Sequence, residues 1–176
     1  MMNVKRKLLH AVALLAMFSA LEANAQQNMN VNATVPDVCV ITTPGTDLNM
    51  NFDLSTLDVA VADFTATADF LWRCSDGNAA TINITSGNGT DANGTTRSMI
   101  GPGGVGVDEL DYELRTPASA LWGDGTNGQP GYGVTGAGMG AADEQTTTIT
   151  GTILLADAQA AAVGAYTDLV VITLLP

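Results

Sequence analysis

The sequence has few of the side chains on which most enzymes and nucleic-acid-binding proteins rely. Its 176 residues include one histidine, His10, two cysteines, and six lysines or arginines against 18 acidic residues, which gives a net charge of −12. Beyond residue 10, histidine-dependent triads and histidine zinc sites are excluded, and two cysteines alone cannot form a structural zinc site. The negative charge disfavours nucleic acid and anionic membranes, which bind through basic residues. We therefore expect no metal, no other cofactor and no nucleic-acid partner.

The first 25 residues have the pattern of a Sec-type signal peptide. Basic residues 5–7 precede a mostly apolar run over residues 8–21, and small residues stand at Ala23 and Ala25, where signal peptidase requires them. The run is shorter than the roughly 20 residues that span a bilayer, which disfavours the alternative, a membrane anchor. Cleavage after Ala25 leaves a length that fits one domain, with three arginines, no lysine, no histidine and 17 acidic residues, hence a net charge of −14.

The two cysteines, Cys39 and Cys74, are predicted to form one disulfide, because exported domains commonly carry such pairs. By the loop-entropy argument, a bond across about 35 residues stabilises the fold by on the order of 3 to 4 kcal/mol. The alternative, a reactive thiol pair, lacks both a CxxC spacing and a neighbouring base.

After Cys39 the chain consists of short alternating segments separated by Gly, Asn, Asp and Thr clusters, which indicates an all-β domain. The predicted strands cover residues 38–42, 64–74, 81–85, 109–115, 146–155 and 166–174. In the second of these, Trp72 and Cys74 share one face, so the indole is expected to pack near the disulfide. Two glycine-rich stretches, residues 86–106 and 123–140, are predicted loops in which a short strand is possible. The alanine-rich residues 156–165 fit a helical turn or a loop equally well.

Two apolar segments lie at the ends of the mature chain. Residues 26–35, the donor segment, alternate apolar and polar residues, which predicts a strand that can be lent to another molecule; its apolar face carries Met29, Val31, Ala33 and Val35. The last predicted strand, residues 166–174, is the most hydrophobic and would invite aggregation unless something covers it. Its apolar residues are Leu169, Val170, Val171, Ile172 and Leu174, so this strand is predicted to need a partner that covers it.

Further motifs follow in order along the chain: WRCSDG around Cys74, TRSM from Thr96, DYELR from Asp111, LWGDG from Leu121, TITGTI from Thr148 and GAYTDLVVITL from Gly164. With the donor segment and Cys39, their order and spacing resemble the spore coat protein U domain family, which includes the pilins of archaic chaperone-usher pili. The chain departs from that family in its loop lengths and in having Glu113 and Leu114 after Tyr112, where a tyrosine pair is frequent.

The resemblance implies an incomplete immunoglobulin-like β-sandwich that lacks its last strand. Residues 26–36, which are the donor segment and Pro36, would then be the N-terminal donor region, and residues 37–176 would be the pilin domain. The last predicted strand, with Leu169, Val170, Val171, Ile172 and Leu174, would form the edge of an acceptor groove. The resemblance also implies partners: a periplasmic chaperone, an outer-membrane usher, and other copies or related pilins in a head-to-tail fibre. Such a fibre is exported through the periplasm to the cell surface, where it serves adhesion and biofilm formation.

Two other functions remain as alternatives. One is a secreted or coat-associated monomeric binding module of the same fold, which would use residues 26–35 only as its own edge strand. The other is an acidic hydrolase, for which Asp108, Glu109, Asp111 and Glu113 are the candidate carboxylates. On an alternating strand the last three point to the same side, which is typical of a solvated face. Residues 91–94 and 124–128 look like pieces of calcium loops, but neither has the acidic residue that closes such a loop.

Overall fold

The computed structural model describes residues 27–45, 47–89, 97–125 and 130–176. The chain divides into two units, Met1–Thr34 and Val35–Pro176, and the described residues of the first are 27–34. The predicted signal peptide, the calcium-like residues 91–94 and residues 126–128 of the second calcium-like stretch lie outside the described residues. No helix within the described ranges is long and apolar enough to span a membrane.

The strand predicted for the donor segment is not formed in residues 27–35, which are exposed and have no regular secondary structure. The reason is physical: alternation gives a segment an apolar face, but a strand also needs the backbone of a neighbouring strand with which to form a ladder. Met29, Val31 and Val35 are 84%, 79% and 82% exposed.

The described residues of Val35–Pro176 form a sandwich of two antiparallel sheets, as predicted for an all-β chain. The first sheet contains β1 (Cys39–Ile41), β2 (Phe64–Cys74), β4 (Arg97–Ile100), β5 (Glu109–Arg115) and β7 (Gln145–Ile153). The second contains β3 (Ala79–Ile84), β6 (Tyr132–Thr135) and β8 (Ile172–Leu175). The strand orders are β1-β2-β7-β5-β4 and β6-β3-β8. A short helix, α1 (Leu155–Ala160), and a 3-10 helix, Ala141–Asp143, complete the described elements.

The strongest alternating segments became strands with the predicted bounds. β2 and β5 bury every second side chain over most of their length, as expected for strands that face a core on one side. Each glycine-rich stretch contains a short strand, β4 in the first and β6 in the second. The alanine-rich stretch begins as helix, which decides between the two structures predicted for it.

The last predicted strand is shorter than expected. Ladder pairing covers only β8, so the prediction is wrong for residues 166–171. There the backbone changes partners: Thr167 bridges Ile100 of β4 in the five-stranded sheet, whereas β8 pairs with β3 in the other sheet. A segment that crosses from one sheet to the other cannot keep a regular ladder with either.

Two tryptophans occupy the core between the sheets, and both have their polar atom satisfied. Trp72 Nε1 donates to Thr147 Oγ1 at 2.9 Å, and Trp122 Nε1 donates to Ile82 O at 2.8 Å. The indoles are 1% and 0% exposed. Each therefore buries a large apolar ring without leaving its N–H unpaired.

The predicted disulfide is confirmed: Cys39 and Cys74 face each other across β1 and β2 and are bonded. Trp72 lies on the same buried face of β2 as Cys74, as expected from the alternation. The bond fixes the short strand β1 to the end of β2. The chain that follows β1 then continues along the opening between the sheets.

Candidate functional site, an open groove

The two sheets leave an open groove with a volume of about 560 Å³. On one side it is bounded by the chain that follows β1, and on the other by the chain that leads into β8. Residues 47–52 form its N-terminal rim, and residues 166–172 form its C-terminal rim. Both rims and the floor belong to the unit Val35–Pro176.

The floor of the groove is the apolar core itself. It is formed by side chains from both sheets, each at most 8% exposed: Ala68, Phe70, Ile84, Tyr112, Leu114 and Ile149. A strand with apolar side chains at alternate positions would cover this floor and remove apolar surface from water. The groove therefore has the chemistry of a strand-binding site.

The C-terminal rim is held by backbone hydrogen bonds along one side. Thr167 and Ile100 exchange two of them, at 2.8 and 3.0 Å. Val171 O accepts from Thr85 N at 3.0 Å, and Val171 N donates to Thr85 Oγ1 at 2.9 Å. Where the rim continues into β8, pairing within the described residues is with β3 alone. The other side of β8 is an unpaired strand edge, to which a further strand can add.

Side chains alternate along the C-terminal rim and β8. Val170, Ile172 and Leu174 are half-buried, whereas Leu169 and Val171 are 67% and 54% exposed. Four of the five predicted edge residues, 169 to 172, line the groove. Leu174 packs against the core beyond it. The structure thus places these residues at or next to the groove, and their role as acceptors stays a prediction.

The N-terminal rim was missed by the sequence reasoning. Its side chains Leu48, Met50 and Phe52 are half-buried against the groove, and the polar residues between them are exposed. Met50 and Phe52 pack over Gly151 of β7, where an added Cβ would lie 2.4 Å from Met50 Sδ and 2.6 Å from Phe52 Cζ. No residue from 47 to 52 belongs to a strand. The available signal was the alternation in DLNMNFDL, residues 47–54, which repeats the pattern of the donor segment.

A polar cluster lies under the C-terminal rim. Asp168 Oδ2 accepts from the Tyr112 hydroxyl at 2.6 Å, and Asp168 Oδ1 accepts from the backbone N–H groups of Asn88 and Leu169 at 2.8 and 2.7 Å. Burial, and then the bond to Asp168, raise the pKa of Tyr112 far above its ordinary value, so the hydroxyl remains a donor. One carboxylate therefore ties the rim to the floor and to the chain that follows β3.

Arg97 is buried beside this cluster and is 1% exposed. Its Nε donates to Thr85 O at 2.9 Å, and its Nη2 donates to Ile84 O at 3.1 Å and to Trp122 O at 2.7 Å. Desolvation lowers the pKa of Arg97, while attraction to the carboxylates of Asp168 and Asp124 opposes the shift. The arginine thus connects β4 to the end of β3 and to Thr85, the next residue. Thr85 in turn holds the C-terminal rim through its hydrogen bonds to Val171.

The acidic strand considered for hydrolysis has its own structural partners. Asp111 accepts from Ser98 Oγ at 2.7 Å, and Glu113 forms an ion pair with Arg115. In the described part of the chain, no group of three or more His, Cys, Asp or Glu residues is placed to hold a metal ion. The groove, with its apolar floor between two rims, is the candidate site.

Residues 25–173 match the Spore Coat Protein U domain family. The chain belongs to this family. The match covers the donor segment, both cysteines and both rims of the groove, so it confirms the resemblance that the sequence motifs indicated. No curated protein matches the sequence.

Two solved structures are similar to this chain. One is a crystal structure of the CsuC-CsuE chaperone–tip adhesion subunit pre-assembly complex from archaic chaperone-usher Csu pili of Acinetobacter baumannii. It matches 81% of this chain at 19% identity with a TM-score of 0.49, and this chain covers 40% of that one, less than half its length. The other is a structure of a chaperone-usher pilus described for its rod uncoiling. It matches 86% of this chain and 95% of its own, at 15% identity and a TM-score of 0.46.

Proposed function

We propose that this chain is a structural subunit of a surface pilus that assembles by donor-strand exchange. In this proposal the donor segment of one copy fills the groove of the next copy. The observation that carries the proposal is the open groove, whose apolar floor and unpaired β8 edge fit an added strand.

The apolar-alternating part of the donor segment, Met29 to Val35, agrees with the C-terminal rim in length and chemistry. The donor residues from Met29 to Val35 and the rim residues 166–172 both number seven. In an extended conformation, seven residues span about 20 Å. The donor side chains Met29, Val31 and Val35 are exposed and apolar, and they alternate with polar residues, as a strand that lies over an apolar floor requires.

The partners follow from this assembly. The donor and acceptor sites are different surfaces of one chain, so the contact is head-to-tail and propagates as a fibre. Membership in the spore coat protein U domain family supports a periplasmic chaperone that covers the groove before assembly, and an outer-membrane usher that exports the subunits. The fibre would be displayed on the cell surface, with a role in adhesion and biofilm formation.

Val31→Asp tests the donor role. It places a carboxylate in a pocket for an apolar side chain, at a cost of several kcal/mol if no partner is available, so polymerisation should be lost. Asn32→Asp, one residue along and on the other face, adds the same charge and is the matched control. Deleting residues 26–35 should leave a chain that occupies only the fibre end at which no donation is needed. Sedimentation and electron microscopy of each variant, alone and mixed with wild type, measure the outcome.

The control and the deletion make the test decisive. If Asn32→Asp abolishes polymerisation as completely as Val31→Asp, charge rather than the apolar face decides assembly, and the donor role is wrong. If the deletion variant polymerises like wild type, the segment is not the donor. A concentration-independent monomer for the wild-type chain would instead favour the monomeric binding module.

A further inference from the structure

Sequence motifs from three separate parts of the chain meet beneath the C-terminal rim. Arg97 comes from TRSM, Tyr112 from DYELR and Asp168 from GAYTDLVVITL. The donor-strand proposal accounts for the apolar residues of the last motif, but gives no role to these three polar side chains. Their contacts all lead to the same short piece of backbone.

The contacts of Asp168 fix the rim from below. In sequence, Asp168 lies between Thr167, whose backbone is hydrogen-bonded to Ile100, and Leu169, which lines the groove. Through Tyr112, 2.6 Å away, it is tied to β5 in the floor. The carboxylate thus holds the rim where the rim leaves the five-stranded sheet.

A second path reaches the rim at its other end. Arg97 Nε donates to Thr85 O at 2.9 Å. Thr85 holds Val171 through one backbone and one side-chain hydrogen bond. The rim from Asp168 to Val171 is therefore fixed at both ends by polar groups, although the side chains of Leu169 and Val171 are mostly exposed.

We propose that Asp168 is a positioning residue for strand uptake: through its bond to Tyr112 it holds the C-terminal rim in the conformation to which a donor strand adds. This proposal rests on the proposed donor-strand function. It assigns to Asp168 the control of how readily the same groove accepts a donor strand. A rim held in place before binding does not have to be ordered during binding, which increases the binding-competent fraction.

Tyr112→Phe tests this role, because it removes only the hydroxyl that Asp168 binds and keeps the ring in the floor. The probe is a fluorescent peptide of residues 26–35 added to the dilute mature chain. Loss of a hydrogen bond to a charged group should lower the competent fraction and slow association about tenfold, while dissociation from the filled groove stays within twofold. Faster hydrogen exchange at the Thr167 amide, which donates to Ile100 O next to Asp168, should accompany the slower association in the free chain.

Tyr166→Phe is the matched control, because it removes a hydroxyl from the same rim. The Tyr166 hydroxyl donates to Ala162 O at 2.9 Å and does not tie the rim to the floor. Both peptide rates and the exchange at the Thr167 amide should stay within twofold of wild type. Asp168→Ala is the second variant: it removes the carboxylate that accepts from Tyr112, Asn88 and Leu169, so association should slow at least as much as in Tyr112→Phe.

The outcomes separate this proposal from the one on which it rests. If the wild-type chain takes up the peptide and Tyr112→Phe does so at the same rate, the positioning role is overturned and donor-strand exchange stands. If Tyr112→Phe accelerates dissociation as much as it slows association, the hydroxyl acts in the filled groove as well, which also overturns the positioning role. If the wild-type chain neither takes up the peptide nor polymerises, both proposals are overturned.

Discussion

The two rims of the groove are held by different forces. The C-terminal rim, residues 166–172, is fixed by backbone hydrogen bonds to Ile100 and Thr85 and by the carboxylate of Asp168. The N-terminal rim, residues 47–52, belongs to no strand and lies on the floor through apolar side chains over Gly151. Hydrogen bonds are directional and fix a position, whereas apolar contacts are not directional and tolerate displacement.

This difference assigns different tasks to the rims. A fixed edge can set the register of an incoming strand, because its N–H and C=O groups are already in place. A rim held by apolar packing can move away from the floor and follow the strand that enters. We therefore expect perturbations of the N-terminal rim to change stability, and perturbations under the C-terminal rim to change the rate of uptake.

The largest expected effect comes from the disulfide, which anchors the start of the N-terminal side. Replacing Cys39 and Cys74 together by alanine should lower the free energy of unfolding by about 3 to 4 kcal/mol. Urea denaturation of the variant and of wild type measures this. Hydrogen exchange should accelerate first in β1 and in the chain after it, while the amide of Val171 keeps its protection. Equal loosening of both rims would contradict the difference between them.

A smaller effect is expected at Gly151, which tests the apolar packing of the N-terminal rim alone. In Gly151→Ala the added Cβ would lie within 2.6 Å of Met50 and Phe52, so both side chains must shift. Overpacking of this kind costs about 2 kcal/mol. Gly133→Ala is the control, since no atom lies within 4 Å of its added Cβ in β6. A Gly151→Ala variant as stable as Gly133→Ala in urea would show that the rim does not depend on this contact.

The fold was largely accessible from the sequence because its signals are local. Alternation over β2 and β5 is read from neighbouring residues, and so is the pairing of two cysteines in an exported chain. The groove was accessible only in part. The ladder of the last strand begins only at Ile172, because the backbone before it pairs with the other sheet. That change of partner depends on contacts with β4 and β3, which lie far away in sequence. The cluster of Arg97, Tyr112 and Asp168 likewise forms only when three distant segments meet.

The N-terminal rim shows a different limit of sequence reasoning. Its alternation is as clear as that of the donor segment, yet in the folded chain it forms no strand, because the groove leaves it without a ladder partner on either side among the described residues. A periodic pattern therefore predicts which face of a segment is apolar. It does not predict whether the segment finds a partner strand, which decides between a strand and a rim.

The smallest expected effect concerns Thr42 and Thr43, where the chain leaves β1 on its way to the N-terminal rim. The side-chain oxygen of Thr43 accepts from Leu71 N at 2.8 Å, so Thr43→Val leaves that amide without its acceptor and should cost about 1 kcal/mol. The side-chain oxygen of Thr42 is buried and has no hydrogen-bond partner among the described residues. Thr42→Val replaces it with a methyl group of similar size and should be neutral or slightly stabilising. Urea denaturation of the two variants compares them, and equal losses at both positions would mean that the hydrogen bond between Leu71 and Thr43 does not stabilise this end of the chain after β1.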